Sequence, residues 1–264
     1  MDFTITSYKS LLVSLQSNGY AFLTFEESLN SPLSKVSILR HDVDLLPQNS
    51  LRFAKIQSEL GVKGSYYFRA VPESWDVSII KEIADLGHEV GYHYENMDTC
   101  KGDVDKAWDD FRFHLNKLRK LVEVKTICMH GSPRSKFDNK ELWNKYDYHS
   151  LEIIGEPYYD VNFEEVFYLT DTGRRWDGWK TSVRDKVPQQ DQWVKQGLTF
   201  HSTQDIIDAV TAGWTLSGAE VPNKIMFTMH PQRWTEGGFP WLKELVLQNI
   251  KNQVKKMMIL NASK

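Results

Sequence analysis

Six short apolar runs recur along the chain, at residues 36–41, 64–68, 89–93, 125–130, 166–171 and 224–230. Runs of this length fit buried strands, and longer stretches of helical periodicity at 47–60, 74–86, 103–121 and 203–212 separate several of them. Strand and helix in alternation imply βαβ units and a parallel sheet. Within 103–121, Val104, Ala107, Trp108, Phe111, Leu115 and Leu118 return at helical spacing, the stripe of a helix packed on a core. A further helix is expected over 8–18, closed by Gly19. With 264 residues, 41% of them hydrophobic, the chain has enough for one compact domain over 1–264, with an N-terminal helical extension over about 1–30.

A formal charge of −3 leaves no electrostatic footprint for a nucleic-acid partner. The basic run from Lys251 to Lys256 reads as the solvated face of a helix. Cys100 and Cys128 form neither a disulfide framework nor a ligand spacing, which suits reduced thiols, and Cys128 sits in an apolar run as a core residue. No basic n-region precedes an apolar stretch at the N-terminus, and no apolar run is long enough to span a bilayer. The expectation is a cytoplasmic protein without a membrane span.

In parallel α/β barrels the chemistry gathers at the C-terminal ends of the strands. His41, Asp42, His93, His130, Asp171 and His230 all stand at such ends. Asp42 and Asp44 share a side of an extended chain, so one can bind a cation while the other takes a proton; the competing reading is an Asx turn or helix cap ahead of Pro47. His93 and Glu95 share parity, whereas His88 has the opposite parity and reads as a hydrogen-bonded structural residue. His130, before Gly131-Ser132-Pro133, fits a ligand, a partner of the base or a buried structural histidine. His230 ends an apolar run at Pro231, where an imidazole titrating near neutrality can protonate a leaving amine. Trp176, Trp179 and Trp234 fit either platforms for sugar rings or the core. Residues 150–196 read as a long irregular and therefore functional segment.

These residues resemble the polysaccharide deacetylases of the NodB-homology type, carbohydrate esterase family 4, and most closely their uncharacterised bacterial members. Ile38-Leu39-Arg40-His41-Asp42-Val43-Asp44 is similar to the first family motif, which implies Asp42 as catalytic base and Asp44 as metal ligand. Gly87-His88-Glu89-Val90-Gly91-Tyr92-His93 is similar to the second, which implies His93 as a ligand. The family's other ligand histidine is expected four residues on, where this chain has Met97. His130 stands where the third motif has an arginine and is the substitute ligand expected here, with Glu95 and Asp98 as competitors. Asp171 and Trp176 resemble the fourth motif, and Thr228-Met229-His230-Pro231 the fifth, whose histidine is the general acid. The resemblance implies a distorted (β/α) barrel of about seven parallel strands holding a divalent metal, zinc by its ligand types. It also implies removal of an N-acyl group, N-acetyl by preference, from an amino sugar of a surface polysaccharide or its precursor. Asp171, Arg175, Trp176 and Trp234 are the expected substrate-binding residues. Two alternatives stay open: a degenerate carbohydrate-binding member of the fold, and a hydrolase of another acyl amide such as a formamide.

Overall fold

The computed structural model describes residues 1–132, 135–177 and 187–262. In chain order these form α1 (Ile5–Ser17), β1 (Ala21–Leu23), α2 (Phe25–Ser28), β2 (Val36–Val43), α3 (Pro47–Glu59), β3 (Ser65–Phe68), α4 (Val77–Asp85), β4 (Glu89–Tyr94), α5 (Asn96–Thr99) and α6 (Val104–Arg119). There follow β5 (Ile127–Met129), α7 (Pro157–Asp160), β6 (Phe167–Thr170), α8 (Gln190–Lys195), α9 (Thr203–Ala212), β7 (Lys224–Met229) and α10 (Gly238–Ala262). The chain falls into two compact units: a middle unit of Leu23–Pro32 and Ile38–Val161, and a terminal unit of Met1–Phe22, Leu33–Ser37 and the described part of Asn162–Lys264.

In the middle unit β2, β3, β4 and β5 pair in parallel, with Asp42 opposite Tyr67, Tyr67 opposite Gly91 and His93 opposite Cys128. Every residue of β2 is buried, the pattern of a parallel strand covered on both faces. Gly91 lets β4 lie between its neighbours: a Cβ there would fall on the Tyr67 ring and come 2.9 Å from the Thr126 carbonyl oxygen. Pro47 opens α3 at a position where its missing N–H costs nothing. Asp76 accepts from the backbone N–H groups of Ser78 and Ile79, so α4 starts at Val77 rather than at the expected residue 74. Of the expected α6 stripe, Ala107, Phe111, Leu115 and Leu118 are buried, while Val104 and Trp108 are half-buried.

In the terminal unit β6 and β7 pair in parallel, Phe167 opposite Ile225 and Thr170 opposite Thr228. Helix α1 packs on α9, and each opens with a reciprocal cap, Thr4 with Ser7 and Ser202 with Asp205. The left-handed backbone that ends α9 falls on Gly213 (φ 80°), where no Cβ opposes it.

The chain is thus parallel α/β, with seven strands among the described residues. All six expected strands are present, but β2 runs two residues past His41 to Val43, so Asp42 lies inside the strand. The segment 150–196 is less irregular than its composition suggests, holding α7, β6 and α8.

Candidate active site

The middle unit gathers its ionisable side chains at the C-terminal ends of β2, β4 and β5. His93 Nδ1 lies 2.9 Å from the Cys128 carbonyl oxygen. A carbonyl can only accept, so Nδ1 carries the proton and Nε2 keeps its lone pair. That Nε2 stands 3.6 Å from Asp44 Oδ1 and 3.7 Å from Asp42 Oδ2. Burial holds the His93 pKa down to about 4 against the opposing charges of Asp42 and Asp44, so the ring is neutral at physiological pH.

His130 follows β5, its backbone N–H bonded to the Tyr94 carbonyl oxygen at 2.8 Å. Its Nδ1 is 2.9 Å from Glu95 Oε2, and its Nε2 is 3.6 Å from Asp44 Oδ1. A carboxylate behind one ring nitrogen fixes the tautomer and leaves the other nitrogen to face a ligand or a metal. Arg69 supports that carboxylate, donating from Nε (3.0 Å) and Nη2 (2.8 Å) to Glu95 and from Nη1 to the Asp44 carbonyl oxygen (3.2 Å). Burial would raise the Glu95 pKa, but the hydrogen bonds from His130 and Arg69 outweigh it and hold it at about 2.

Asp44, His93 and His130 each offer one ligand atom, and the three atoms lie within 4.8 Å of one another. Two imidazoles that present Nε2 to one carboxylate suit a borderline divalent ion such as zinc. A second group, Asp42, His93 and Cys128, shares His93. There Asp42 receives a two-pronged bond from Arg40, Nε to Oδ1 at 2.9 Å and Nη2 to Oδ2 at 2.7 Å, which commits both its oxygens. The donor set built on Asp44 is therefore the better fit to a cation. Of the competitors for the third position, Glu95 is engaged behind His130, and Asp98 on α5 belongs to neither group among the described residues. Met97 is buried in α5.

Some expected alternatives do not arise. The cap of α3 is Leu46, with no side-chain hydrogen bond, so neither Asp42 nor Asp44 caps that helix. His41 faces away from the cluster, its Nδ1 on the Ser65 carbonyl oxygen (3.1 Å) and its Nε2 beside Gln57 (3.1 Å), stacked on Tyr66. His88 accepts from the Gly64 N–H and lies 2.9 Å from the Ala54 carbonyl oxygen, the structural place its parity predicts. Arg40 and Arg69 had no assigned role in the sequence reading. Arg40 has the parity of Asp42, and Arg69 immediately follows β3, so both carry the strand-end signal that singled out the histidines.

The terminal unit holds a second polar cluster. His230 Nδ1 is 2.6 Å from Asp171 Oδ1, and Asp171 also accepts from the His230 N–H (2.9 Å), Arg233 Nη1 (3.0 Å) and Trp234 Nε1 (2.7 Å). Burial pushes the Asp171 pKa up, yet His230 and Arg233 together bring it below the usual carboxylate value. Asp171 thus fixes His230 and, fully buried, has no surface for a substrate, which corrects its expected binding role. Trp176 and Trp234 are 2% and 1% exposed and pack with Phe3, so they are core and not sugar platforms. Arg175 is half-exposed and forks onto Asp177, which also meets His201 Nδ1 at 2.9 Å. Trp179 lies outside the described residues.

No family model matches the chain, and no curated protein matches it. Solved structures similar to it include an esterase of carbohydrate esterase family 4 from Streptococcus mutans, at 12% identity and a TM-score of 0.46, covering 92% of this chain and 89% of that one. PdaA of Bacillus subtilis, a family 4 carbohydrate esterase, is similar at 13% identity and a TM-score of 0.40, over 92% of this chain and 83% of its own. BA3943 of Bacillus anthracis, a family 4 pseudoenzyme, is similar at 16% identity and a TM-score of 0.39, over 85% of this chain; the match spans 63% of its length, just under two thirds.

Proposed function

We propose that this chain is a metal-dependent hydrolase that removes an N-acyl group, acetyl by preference, from an amino sugar of a surface polysaccharide or its precursor. The observation that carries the reading is the convergence of His93 Nε2 and His130 Nε2 on Asp44 Oδ1, each at 3.6 Å, with the Asp42 carboxylate alongside. Asp44, His93 and His130 would hold the ion. When bound, it polarises an acyl carbonyl and lowers the pKa of water. Asp42 would take the proton of the attacking water, held in place by the Arg40 fork, whose charge compensates its burial. Glu95, 2.9 Å from His130 Nδ1, would favour the tautomer that turns a lone pair on Nε2 toward the ion. His230 belongs to the terminal unit, where Asp171 holds its Nδ1, and a proton-donating role for it is what the resemblance at Thr228–Pro231 implies.

Asp44→Ala and His93→Ala should each abolish metal binding, because two remaining donors make too few for a tight site. Plasma emission on the purified, folded variants measures this, and a full metal equivalent in either would sink the ligand assignment. A panel of N-acetyl and N-formyl amino sugars then separates a deacetylase from a hydrolase of other acyl amides. Met97, buried where the family carries a histidine, favours the degenerate reading instead. On that reading the unaltered protein purifies without metal and does not take it up.

A further inference from the structure

Helix α10 is built inside out. At 3.6 residues per turn, Trp241, Gln248 and Asn252 lie on one side of it. That side docks on the terminal unit: Trp241 Nε1 donates to the Asp2 carbonyl oxygen (2.6 Å) and Asn252 Nδ2 to the Gly173 carbonyl oxygen (3.0 Å), while Gln248 donates to Asn252 Oδ1 (2.9 Å). The opposite side carries Phe239, Leu242, Val246 and Ile250, between 49% and 77% exposed. A surface helix normally buries its hydrocarbon and shows its amides. This one does the reverse over about three turns, a stripe of the kind that marks an interaction surface rather than scattered exposure.

Charge identifies the partner. Residues 238–264 hold five lysines against one carboxylate, Glu244, in a chain whose formal charge is −3. Glu244 acts on Arg174, which belongs to the docked side, while Lys243 and Lys251 stand exposed along the helix that bears the stripe. A second copy of the same face would set lysine against lysine with Glu244 the one carboxylate of 238–264 to relieve it. A surface of anionic headgroups over hydrocarbon complements both features at once, as amphipathic helices lying in a membrane interface do. No helix among the described residues is long and apolar enough to cross a bilayer, so α10 could lie only in its plane. We propose that α10 seats the protein on an anionic lipid surface, with Phe239, Leu242, Val246 and Ile250 in the acyl boundary and Lys243 and Lys251 at the phosphates. The inference is independent of the activity proposed above.

The test is sedimentation of the full chain with vesicles of phosphatidylcholine alone and of phosphatidylcholine with phosphatidylglycerol. Anionic vesicles should retain the protein at least about 10-fold better, and raising salt from about 0.1 to about 1 M should release it as the Debye length shrinks. Lys243→Glu with Lys251→Glu should weaken retention about 10-fold or more. Leu242→Gln with Ile250→Gln should do the same through the apolar contact, with circular dichroism reporting that each variant is folded. Equal retention on both vesicle types, or none, overturns the proposal. So does self-association that Leu242→Gln with Ile250→Gln abolishes in a protein that ignores lipid, since the stripe would then belong to a second copy.

Discussion

Asp42 and Asp44 are two positions apart on one chain, yet their surroundings differ, and the roles proposed for them differ with it. Asp42 has both oxygens on Arg40, whereas Asp44 faces the Nε2 atoms of two imidazoles. Asp42→Asn should therefore keep the metal and lower turnover by about 10² to 10⁴, the usual cost of removing a general base. Measured metal content and kcat check both halves, and loss of metal would reverse the two roles. Glu95 reaches the site only through His130. In Glu95→Gln the amide still accepts the Nδ1 proton but brings no charge, and metal affinity by calorimetry should fall about 10-fold or more. An unchanged affinity would mean that His130 does not ligate. Parity and strand ends made Asp44, His93 and His130 legible in the sequence. The tryptophans were not legible that way, because composition does not say whether an indole stacks inward or outward. Trp176 and Trp234 turn inward, their N–H groups on Thr203 and Asp171.

Among the elements, the strands were the most legible, since a parallel strand buried on both faces must be a nearly continuous apolar run. Their ends were less so: β2 extends over Asp42, a charge that looks like a stop signal until Arg40 on the same face compensates it. Helix starts shifted where a cap pre-empted the periodicity, as Asp76 does for α4 and Thr4 for α1. The basic run Lys251 to Lys256 was read from the sequence as a solvated helix face, and the apolar stripe that precedes it on α10 was not read at all, because periodicity says that a helix has two faces and not which one docks. Strand β4 carries a sharper constraint. Gly91→Ala would drive a methyl into the Tyr67 ring and toward the Thr126 carbonyl oxygen, so urea denaturation should show a loss of about 1–3 kcal/mol, typical of overpacking. Because His93 lies two residues along the same strand, metal affinity should fall with it.

For the whole molecule, the buried carboxylate of Glu156 gives folding a signature in pH. Burial raises its pKa from 4.5 to about 7, against the N–H groups of Met129 and Tyr158 and the charge of Arg40. A carboxyl whose folded pKa is raised binds its proton more tightly in the native state, so its contribution is full below the unfolded value and is lost as pH rises through the folded one. Stability should decline between about pH 4.5 and 7 by about 3 kcal/mol from this group. Denaturation midpoints across that window should flatten in Glu156→Gln, and an unchanged slope would assign the effect elsewhere. The division of the chain has an effect on a different clock. Everything in the middle unit, Asp44, His93 and His130 included, is synthesised by residue 161, when the terminal unit has only 1–22 and 33–37. Helix α1 cannot find α9, nor Ile5 its bond to Thr235, until about 50 and 75 residues later, roughly 3–15 s at ribosomal speed. The first helix made is thus among the last to be housed, and the nascent chain carries every strand of the candidate site while its own N-terminus still waits for a partner.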